Sequence, residues 1–359
     1  MTVDEARSEF PALDRVAYLN AGTNGPLARR TVEAMAAQER ADLETGRGGA
    51  AYFDRALELR VEVREKLAAV MEVSADQVAL ATSTTNGCNI VLAGLDLGPE
   101  DEVVTTDGEH FGLLGALAVS PARVRVGAVR QLPPEQALDV LLREITPRTR
   151  LLALSHVSWM SGNRLPVAEL KEATGLPVLV DGAQSVGAIP VDASAFDFYA
   201  FSCQKWLCGP DVTGALVVAD PDELRISAPS YLSQERYEPS GEFEPRAGAA
   251  RFDPGWTAPP ALAGLSAALD LAPEERFARA VEISERCRGL LAERFEVVTA
   301  PDQATLVSFR VDGDSAEVVK RLYEQGVIVR DVPGHGWIRV SCGWWTSNAD
   351  LERLMQALG

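Results

Sequence analysis

Short apolar runs separated by helical stretches are the feature that most constrains the fold of this chain. Five runs have the length and composition of β-strands, at 102–106, 151–155, 177–181, 196–201 and 214–218. Several are apolar at consecutive positions, which predicts strands covered by helices on both faces, as in a largely parallel sheet. Helical spacing of apolar residues lies around them, for example in 29–44 and 54–71. The pattern predicts an α/β protein.

The final hundred residues change character. A mostly helical stretch at 258–295, interrupted at Pro273, precedes a β-α-β-β-α pattern, which fits a smaller α+β domain. Its predicted elements are strands at 305–311, 327–330 and 337–341 and helices at 315–325 and 349–358. We expect an N-terminal segment (1–20) that joins this small domain, a large domain (21–255) and the small C-terminal domain (256–359). The weakly periodic stretch 227–255 is long for a loop, so we expect it to shield a site or carry function.

Composition narrows the class of protein. The 359 residues are 47% hydrophobic and 24% charged, with a formal net charge of −18, which disfavours binding to nucleic acid or anionic membranes. The N-terminus is acidic where a signal peptide is basic, and no apolar run approaches the roughly 20 residues of a membrane span, so a cytoplasmic protein is expected. Five scattered cysteines without a C-x-x-C pair and three isolated histidines predict neither disulfides nor a metal site.

One lysine and one aspartate carry the strongest chemical signal. Lys205 lies between a short β-run and a Gly-Pro turn, 24 residues after Asp181, which closes the apolar run 177–181. A lysine in such a place is a candidate for a Schiff base, and an aspartate at a buried strand end can hold a protonated pyridine nitrogen. The pair suggests pyridoxal 5′-phosphate (PLP), although a surface lysine and a helix-capping aspartate explain the local pattern equally well.

Other strand ends supply matching groups. Small hydroxyl residues at 82–85 precede an apolar helical run, which suits a phosphate ester at a helix N-terminus, although a simple N-cap is the commoner role. His110 follows another strand and has the flat ring that stacks on a flat cofactor, although it could equally be a loop histidine bonded to backbone. Polar or aromatic residues thus follow four strands, and ligands gather at that edge of open α/β sheets.

The order of these motifs resembles the class V aminotransferase family of fold type I PLP enzymes, which includes cysteine desulfurases, selenocysteine lyases, kynureninases and isopenicillin N epimerase. The resemblance spans 18–341 and is most specific in 180–185 and 197–206. It implies a large domain with a mostly parallel, seven-stranded type of sheet and a smaller α+β C-terminal domain. It also implies PLP as cofactor, a small amino acid or amino-acid-like substrate and a homodimer.

The resemblance also implies roles for individual residues. Lys205 forms the Schiff base, Asp181 holds the pyridine nitrogen and His110 stacks on the ring. Groups expected to contact the cofactor are Thr84, Thr85, Gln184, Ser202, Gln204 and Trp256. Groups expected to contact substrate are Arg339, which grips the carboxylate, with Trp159 and Asn24; Arg339 on a C-terminal strand could instead form a structural salt bridge.

The sequence departs from the family pattern at three places. Gln204 stands where desulfurases have histidine, and Trp159 stands where many relatives have asparagine. Trp256 occupies the slot of a phosphate-binding threonine that relatives often supply from the partner subunit, so phosphate binding across subunits is doubtful, although Trp256 remains expected near the partner's cofactor.

The reaction is less constrained than the cofactor. The stretch 330–339 has no cysteine where desulfurases carry their nucleophile, so a persulfide mechanism on the enzyme is disfavoured. Transamination, β-elimination at a carbon–sulfur bond and epimerisation use the same lysine; an aminotransferase is the preferred prediction, with a carbon–sulfur lyase or epimerase as alternatives. A dehydrogenase lacks its glycine fingerprint after the first strand. A non-catalytic binding protein on the same fold is the remote alternative, since both Lys205 and Asp181 are present.

Overall fold

The computed structural model describes all residues, 1–359. Fourteen strands and eleven α-helices make up the fold, and seven of the strands form a sheet at its centre. The strands are β1 (Ala17–Tyr18), β2 (Val78–Ala81), β3 (Glu102–Thr106), β4 (Arg123–Gly127), β5 (Thr149–Ser155), β6 (Val178–Asp181), β7 (Phe198–Ser202), β8 (Gly214–Val218), β9 (Gln234–Tyr237), β10 (Phe243–Pro245), β11 (Leu306–Arg310), β12 (Val327–Ile328), β13 (Arg330–Val332) and β14 (Trp337–Ser341). The helices are α1 (Val3–Arg7), α2 (Arg29–Thr45), α3 (Ala50–Met71), α4 (Thr84–Gly94), α5 (Phe111–Val119), α6 (Pro134–Arg143), α7 (Val167–Thr174), α8 (Pro259–Leu269), α9 (Arg276–Ala292), α10 (Ser315–Glu324) and α11 (Asn348–Leu358).

The central sheet has the order β2-β8-β7-β6-β5-β3-β4. Neighbours from β4 to β7 are parallel, and only β8 runs antiparallel to its two neighbours. Alternate residues of the middle strands enter two different hydrophobic cores, so that Leu152 and Val180 lie in one and Leu151 and Leu179 in the other. This two-sided burial explains the consecutive apolar residues, and the predicted mostly parallel α/β sheet is confirmed.

A smaller antiparallel sheet, β11-β14-β13, lies near the C-terminus. It packs with α9, α10 and α11 around a core of 17 buried residues. The N-terminal strand β1 pairs in parallel with β12, and Asn20 forms a bridge to Ser341. These contacts support the assignment of the N-terminal segment to the small domain, while the domain boundaries themselves stay a prediction.

Two predicted elements differ from the structure. The strand predicted at 327–330 is divided, because β12 pairs with β1 whereas β13 pairs with β14. The weakly periodic stretch 227–255 contains an exposed antiparallel hairpin formed by β9 and β10. None of the helices combines the length and the apolar character required to cross a bilayer.

Candidate active site

Lys205 and Asp181 lie at the carboxyl ends of neighbouring strands. Asp181 is the last residue of β6, and Lys205 comes three residues after β7, which pairs with β6 in parallel. Burial raises the pKa of Asp181, whose Oδ1 accepts a hydrogen bond from Ala183 N at 2.9 Å. Burial lowers the pKa of Lys205 to about 8, and the charge of Asp181 opposes that shift. The two groups predicted to act together therefore influence each other electrostatically.

Two hydroxyl groups meet at the N-terminus of α4. Ser202 Oγ accepts a hydrogen bond from Thr84 N at 2.9 Å and lies 2.8 Å from Thr84 Oγ1, although 118 residues separate the two in sequence. Ser83 caps the same helix by accepting a hydrogen bond from Asn86 N. Free N–H groups and the helix dipole favour an anion at this end. The pair Thr84 and Ser202 thus lies where a phosphate ester would be held.

His110 caps the N-terminus of α5. Its Nδ1 accepts a hydrogen bond from Gly112 N at 3.1 Å, which leaves the proton of the neutral ring on Nε2. Partial desolvation lowers the pKa of His110, and nearby positive charges, including Lys205, lower it further. The ring forms a T-shaped pair with that of Trp159, with centroids 5.3 Å apart and an interplanar angle of 85°. His110 is therefore a neutral flat ring beside Lys205.

Two arginines face each other across β13 and β14. Arg330 and Arg339 are directly opposed in the strand register, and both donate to Thr23 Oγ1, at 3.3 and 3.1 Å. Arg339 is 1% exposed and also donates to Trp159 O at 3.0 Å. Burial lowers the pKa of Arg339 to about 9, and the charge of Arg330 adds to the shift. The hydrogen bonds of both guanidinium groups go to hydroxyl, amide or backbone oxygens rather than to a carboxylate, although the charge of Asp331 acts on Arg339. Opposed like charges are destabilising by themselves, so the pair fits an anionic ligand.

Residues 17–354 match the model of the protein family Aminotransferase class-V. The chain belongs to the class V aminotransferase family. Among its curated relatives is an isopenicillin N epimerase of Streptomyces clavuligerus. It is 31% identical over a gapped alignment of 396 positions, which covers 99% of this chain and 97% of the relative. Another is a probable cysteine desulfurase of Pseudomonas aeruginosa, 35% identical over 315 residues that cover 79% and 77% of the two chains.

Solved structures of the family are also similar. A C-DES mutant with glycine covalently linked to the PLP cofactor gives a TM-score of 0.92 at 31% identity and covers 98% of each chain. The complex of the cystine C–S lyase C-DES with its reaction product cysteine persulfide gives 0.91 at 32% identity, covering 97% of this chain and 98% of that one. The protein is a fold type I enzyme that depends on PLP.

The residues around Lys205 fit PLP. Three buried polar atoms there have no hydrogen-bond partner within the protein, namely Gln204 Oε1, Trp159 Nε1 and Arg339 Nε. An amine, a buried carboxylate and a helix N-terminus with two hydroxyl groups match the aldehyde, the ring nitrogen and the phosphate of the cofactor in chemistry. We therefore expect Lys205, Asp181, Thr84 and Ser202 to hold PLP.

Gln184 and Thr85 lie close to this group in different ways. The Gln184 amide is engaged at both ends, since Nε2 donates to Gly22 O at 2.9 Å and Oε1 accepts from Trp206 Nε1 at 3.0 Å. Only its second N–H is left for a ring hydroxyl, so that contact stays a prediction. Thr85 is exposed, and a Cβ on Gly112 would lie 2.5 Å from Thr85 Oγ1, so Gly112 permits the close approach of α5 to α4.

Two predicted residues have exposed side chains in the single chain. The side chain of Asn24 forms no hydrogen bond, whereas its backbone oxygen accepts from Tyr18 OH at 3.0 Å and its backbone N donates to Asn20 O at 3.3 Å, so its contact with substrate stays a prediction. Trp256 is 43% exposed and packs against Tyr52 and Phe53, with ring centroids 6.0 and 5.7 Å apart. A contact from Trp256 to a cofactor therefore requires a second copy of the chain and stays a prediction.

Sequence reasoning missed four residues of the site. They are Arg330, Thr23, Asn20 and Glu109. Arg330 donates to the Thr23 hydroxyl, which itself donates to Asn20 Oδ1 at 2.9 Å, and Glu109 is the buried residue that precedes His110. Arg330 could have been found from its spacing, because the short turn before β14 places it directly opposite Arg339. Thr23 and Asn20 carry no such signal, since nothing in their local pattern points toward β14.

Proposed function

We propose that the protein is a PLP-dependent carbon–sulfur lyase that acts by β-elimination on a disulfide amino acid with two carboxylates, such as cystine. The overall reaction consumes cystine and water and releases cysteine persulfide, pyruvate and ammonia. The likeness to a cystine C–S lyase over nearly the full length of both chains supports this assignment. It ranks the lyase above the aminotransferase that the sequence favoured.

The opposed guanidinium groups of Arg330 and Arg339 are the observation that carries the proposal. Both donate to the hydroxyl of Thr23, and neither forms a salt bridge, although the charge of Asp331 acts on Arg339 from a distance. One arginine suffices for the α-carboxylate that every amino acid carries. A second arginine, held opposite the first against their mutual repulsion, suits a substrate that has another carboxylate at its far end.

The remaining groups suit proton transfer in a shielded site. PLP, when bound, withdraws electrons from the bond between Cα and its hydrogen and so makes that hydrogen acidic. Lys205, with a pKa lowered to about 8 by burial, is able to accept this proton near neutral pH. Trp159 and the buried Trp337 supply apolar walls around a substrate held by Arg339.

The absence of a cysteine between Arg330 and Arg339 also favours elimination. Cys342 follows Arg339 but is fully buried beside Cys287 in the core of the small domain. A protein thiol therefore has no access to a substrate held by Arg339, and the sulfur leaves with the product.

The test compares two substrates and three variants. Wild type, Arg330→Gln and Arg339→Gln are supplied with cystine or with S-methylcysteine, and pyruvate and ammonia are measured. We expect Arg330→Gln to raise KM for cystine about tenfold or more while leaving KM for S-methylcysteine unchanged, because only cystine has a second carboxylate. Arg339→Gln impairs both substrates. Arg321→Gln, at an exposed position of α10, is the matched control.

Transamination is the outcome that contradicts the proposal. Aspartate and glutamate also have two carboxylates, so they belong in the same assay. Conversion of the cofactor to its amino form with release of a keto acid, and no pyruvate from cystine, would identify an aminotransferase. Inversion at Cα without pyruvate would identify an epimerase.

We also infer a homodimer. The half-buried ring of Tyr52 and the exposed rings of Phe53 and Trp256 form a cluster near the N-terminus of α3 that nothing in the single chain covers fully. Sedimentation velocity of the PLP-loaded protein should give twice the mass of one chain. A monomer that keeps its cofactor and activity would contradict the dimer.

A further inference from the structure

Glu109 is a buried carboxyl group that the proposed reaction does not use. It is 5% exposed and precedes His110. Its Oε2 accepts from Ser155 Oγ at 2.5 Å and from Ser155 N at 3.1 Å, and its Oε1 accepts from Thr106 Oγ1 at 2.6 Å. These contacts tie the loop that carries His110 to the ends of β3 and β5.

The position of Ser155 brings Glu109 close to Asp181. Ser155 and Asp181 are partners in the parallel register of β5 and β6, and neighbouring strands lie about 4.8 Å apart. The negative charge of Asp181 acts on Glu109, and both carboxyls act on the buried thiol of Cys88 in α4. No arginine or lysine forms a salt bridge with Glu109, whereas Lys205 acts on Asp181. Because only Asp181 has a cation nearby, ionising both buried carboxyl groups at once costs free energy.

We propose that Glu109 and Asp181 form an interacting pair of buried carboxyl groups at the base of the cofactor site, in which Glu109 holds a proton so that Asp181 keeps its negative charge. Glu109 touches neither substrate nor cofactor and is a positioning residue. It sets the charge of the carboxylate expected to face the ring nitrogen, and it fixes the loop that carries His110.

The pKa of Glu109 is raised to about 7, chiefly by burial, and the hydrogen bonds from Ser155 and Thr106 oppose that shift. Near neutral pH the group therefore exchanges its proton. When the proton leaves, a second negative charge appears near Asp181 and strengthens its hold on a protonated ring nitrogen. The absorbance of bound PLP should report that change as a one-proton transition.

The experiment uses infrared difference spectra of the full chain, without and with PLP, recorded between pH 5 and pH 9. We expect wild type to show the carbonyl stretch of a buried protonated carboxyl group that disappears around pH 7. Glu109→Gln keeps the shape of the Glu109 side chain and is uncharged like its protonated form. This variant should lack the carbonyl band. Glu102→Gln is the matched control, since Glu102 is 2% exposed at the opposite end of β3 and pairs with Arg148.

The PLP-loaded protein provides the second readout. Wild type and Glu102→Gln should show a transition in cofactor absorbance between pH 6 and pH 8, and Glu109→Gln should not. A band that persists in Glu109→Gln but vanishes in Asp181→Asn would place the proton on the other residue and overturn the proposal, as would a wild type without any band. The inference rests on the proposed role of Asp181 only in the absorbance arm. If the infrared band is present in wild type and absent in Glu109→Gln, but Glu109→Gln keeps the absorbance transition of wild type, the role of Asp181 is refuted and the carboxyl pair stands.

Discussion

The lowered pKa of Lys205 predicts how the apo protein captures PLP. Covalent capture needs the unprotonated amine. At pH 7.5, an amine with the pKa of about 8 assigned to Lys205 is roughly one quarter unprotonated, whereas an amine at the ordinary 10.5 is unprotonated roughly once in a thousand. Burial therefore enlarges the reactive fraction on the order of 200-fold. Stopped-flow absorbance after mixing apo protein with PLP should give a rate that rises with pH to a midpoint near 8.

Charge variants test the causes of this shift in opposite directions. Arg339→Gln removes a positive charge that lowers the pKa of Lys205, so the midpoint should move to higher pH. Asp181→Asn removes a negative charge that raises it, so the midpoint should move to lower pH. Arg321→Gln is the control, and free lysine mixed with PLP gives the pH dependence of the reagent itself. A wild-type midpoint near 10.5, or two charge variants that move the same way, would refute the electrostatic reasoning.

Three further predictions concern the groups around Lys205. Gly182→Ala should destabilise the fold by about 1–3 kcal/mol and weaken PLP binding, because the new Cβ would lie 2.2 Å from the ring of Tyr199. That ring cannot easily move, since its hydroxyl is hydrogen-bonded to His156 and Ser185. An unchanged melting temperature would contradict this prediction. Ser202→Ala should weaken PLP binding roughly fivefold in equilibrium dialysis, because a hydroxyl that lies beside Thr84 and would bind the phosphate contributes about 1 kcal/mol, and equal affinity would remove these hydroxyls from the phosphate site. Iodoacetamide should leave pyruvate formation from cystine intact, since all five cysteines are buried; inactivation that tracks alkylation would revive a cysteine nucleophile.

The large sheet could be predicted from the sequence because strands buried on both faces have consecutive apolar residues. β5, β6 and β7 bury both faces, so their apolar residues run consecutively and their ends are marked by polar residues. β9 and β10 have largely exposed residues, and no apolar periodicity marks them. The break between β12 and β13 was missed for another reason, since each half is a plausible strand and only the tertiary partners differ.

The same distinction applies to the site. Lys205, Asp181 and His110 each follow a strand of one sheet, so local patterns and the rule of the shared edge were enough to group them. Thr23 and Glu109 reach the site through contacts with Arg330 and Ser155 that no local pattern shows, whereas the short turn before β14 already places Arg330 opposite Arg339. Asn24 is exposed while its neighbour Thr23 receives both guanidinium groups, so the predicted contact of Asn24 with substrate stays a prediction.

The arginine pair links substrate binding to the strength of the base. Both guanidinium groups lower the pKa of Lys205, and both are expected to bind substrate carboxylates. Each carboxylate that binds cancels one of those positive charges. The amine of Lys205 is therefore easiest to deprotonate when the site is empty and becomes a stronger base once a substrate with two carboxylates is in place. A substrate with a single carboxylate cancels only one charge, so discrimination should be visible in kcat as well as in KM, and a specificity confined to KM would show that Arg330 acts on binding alone.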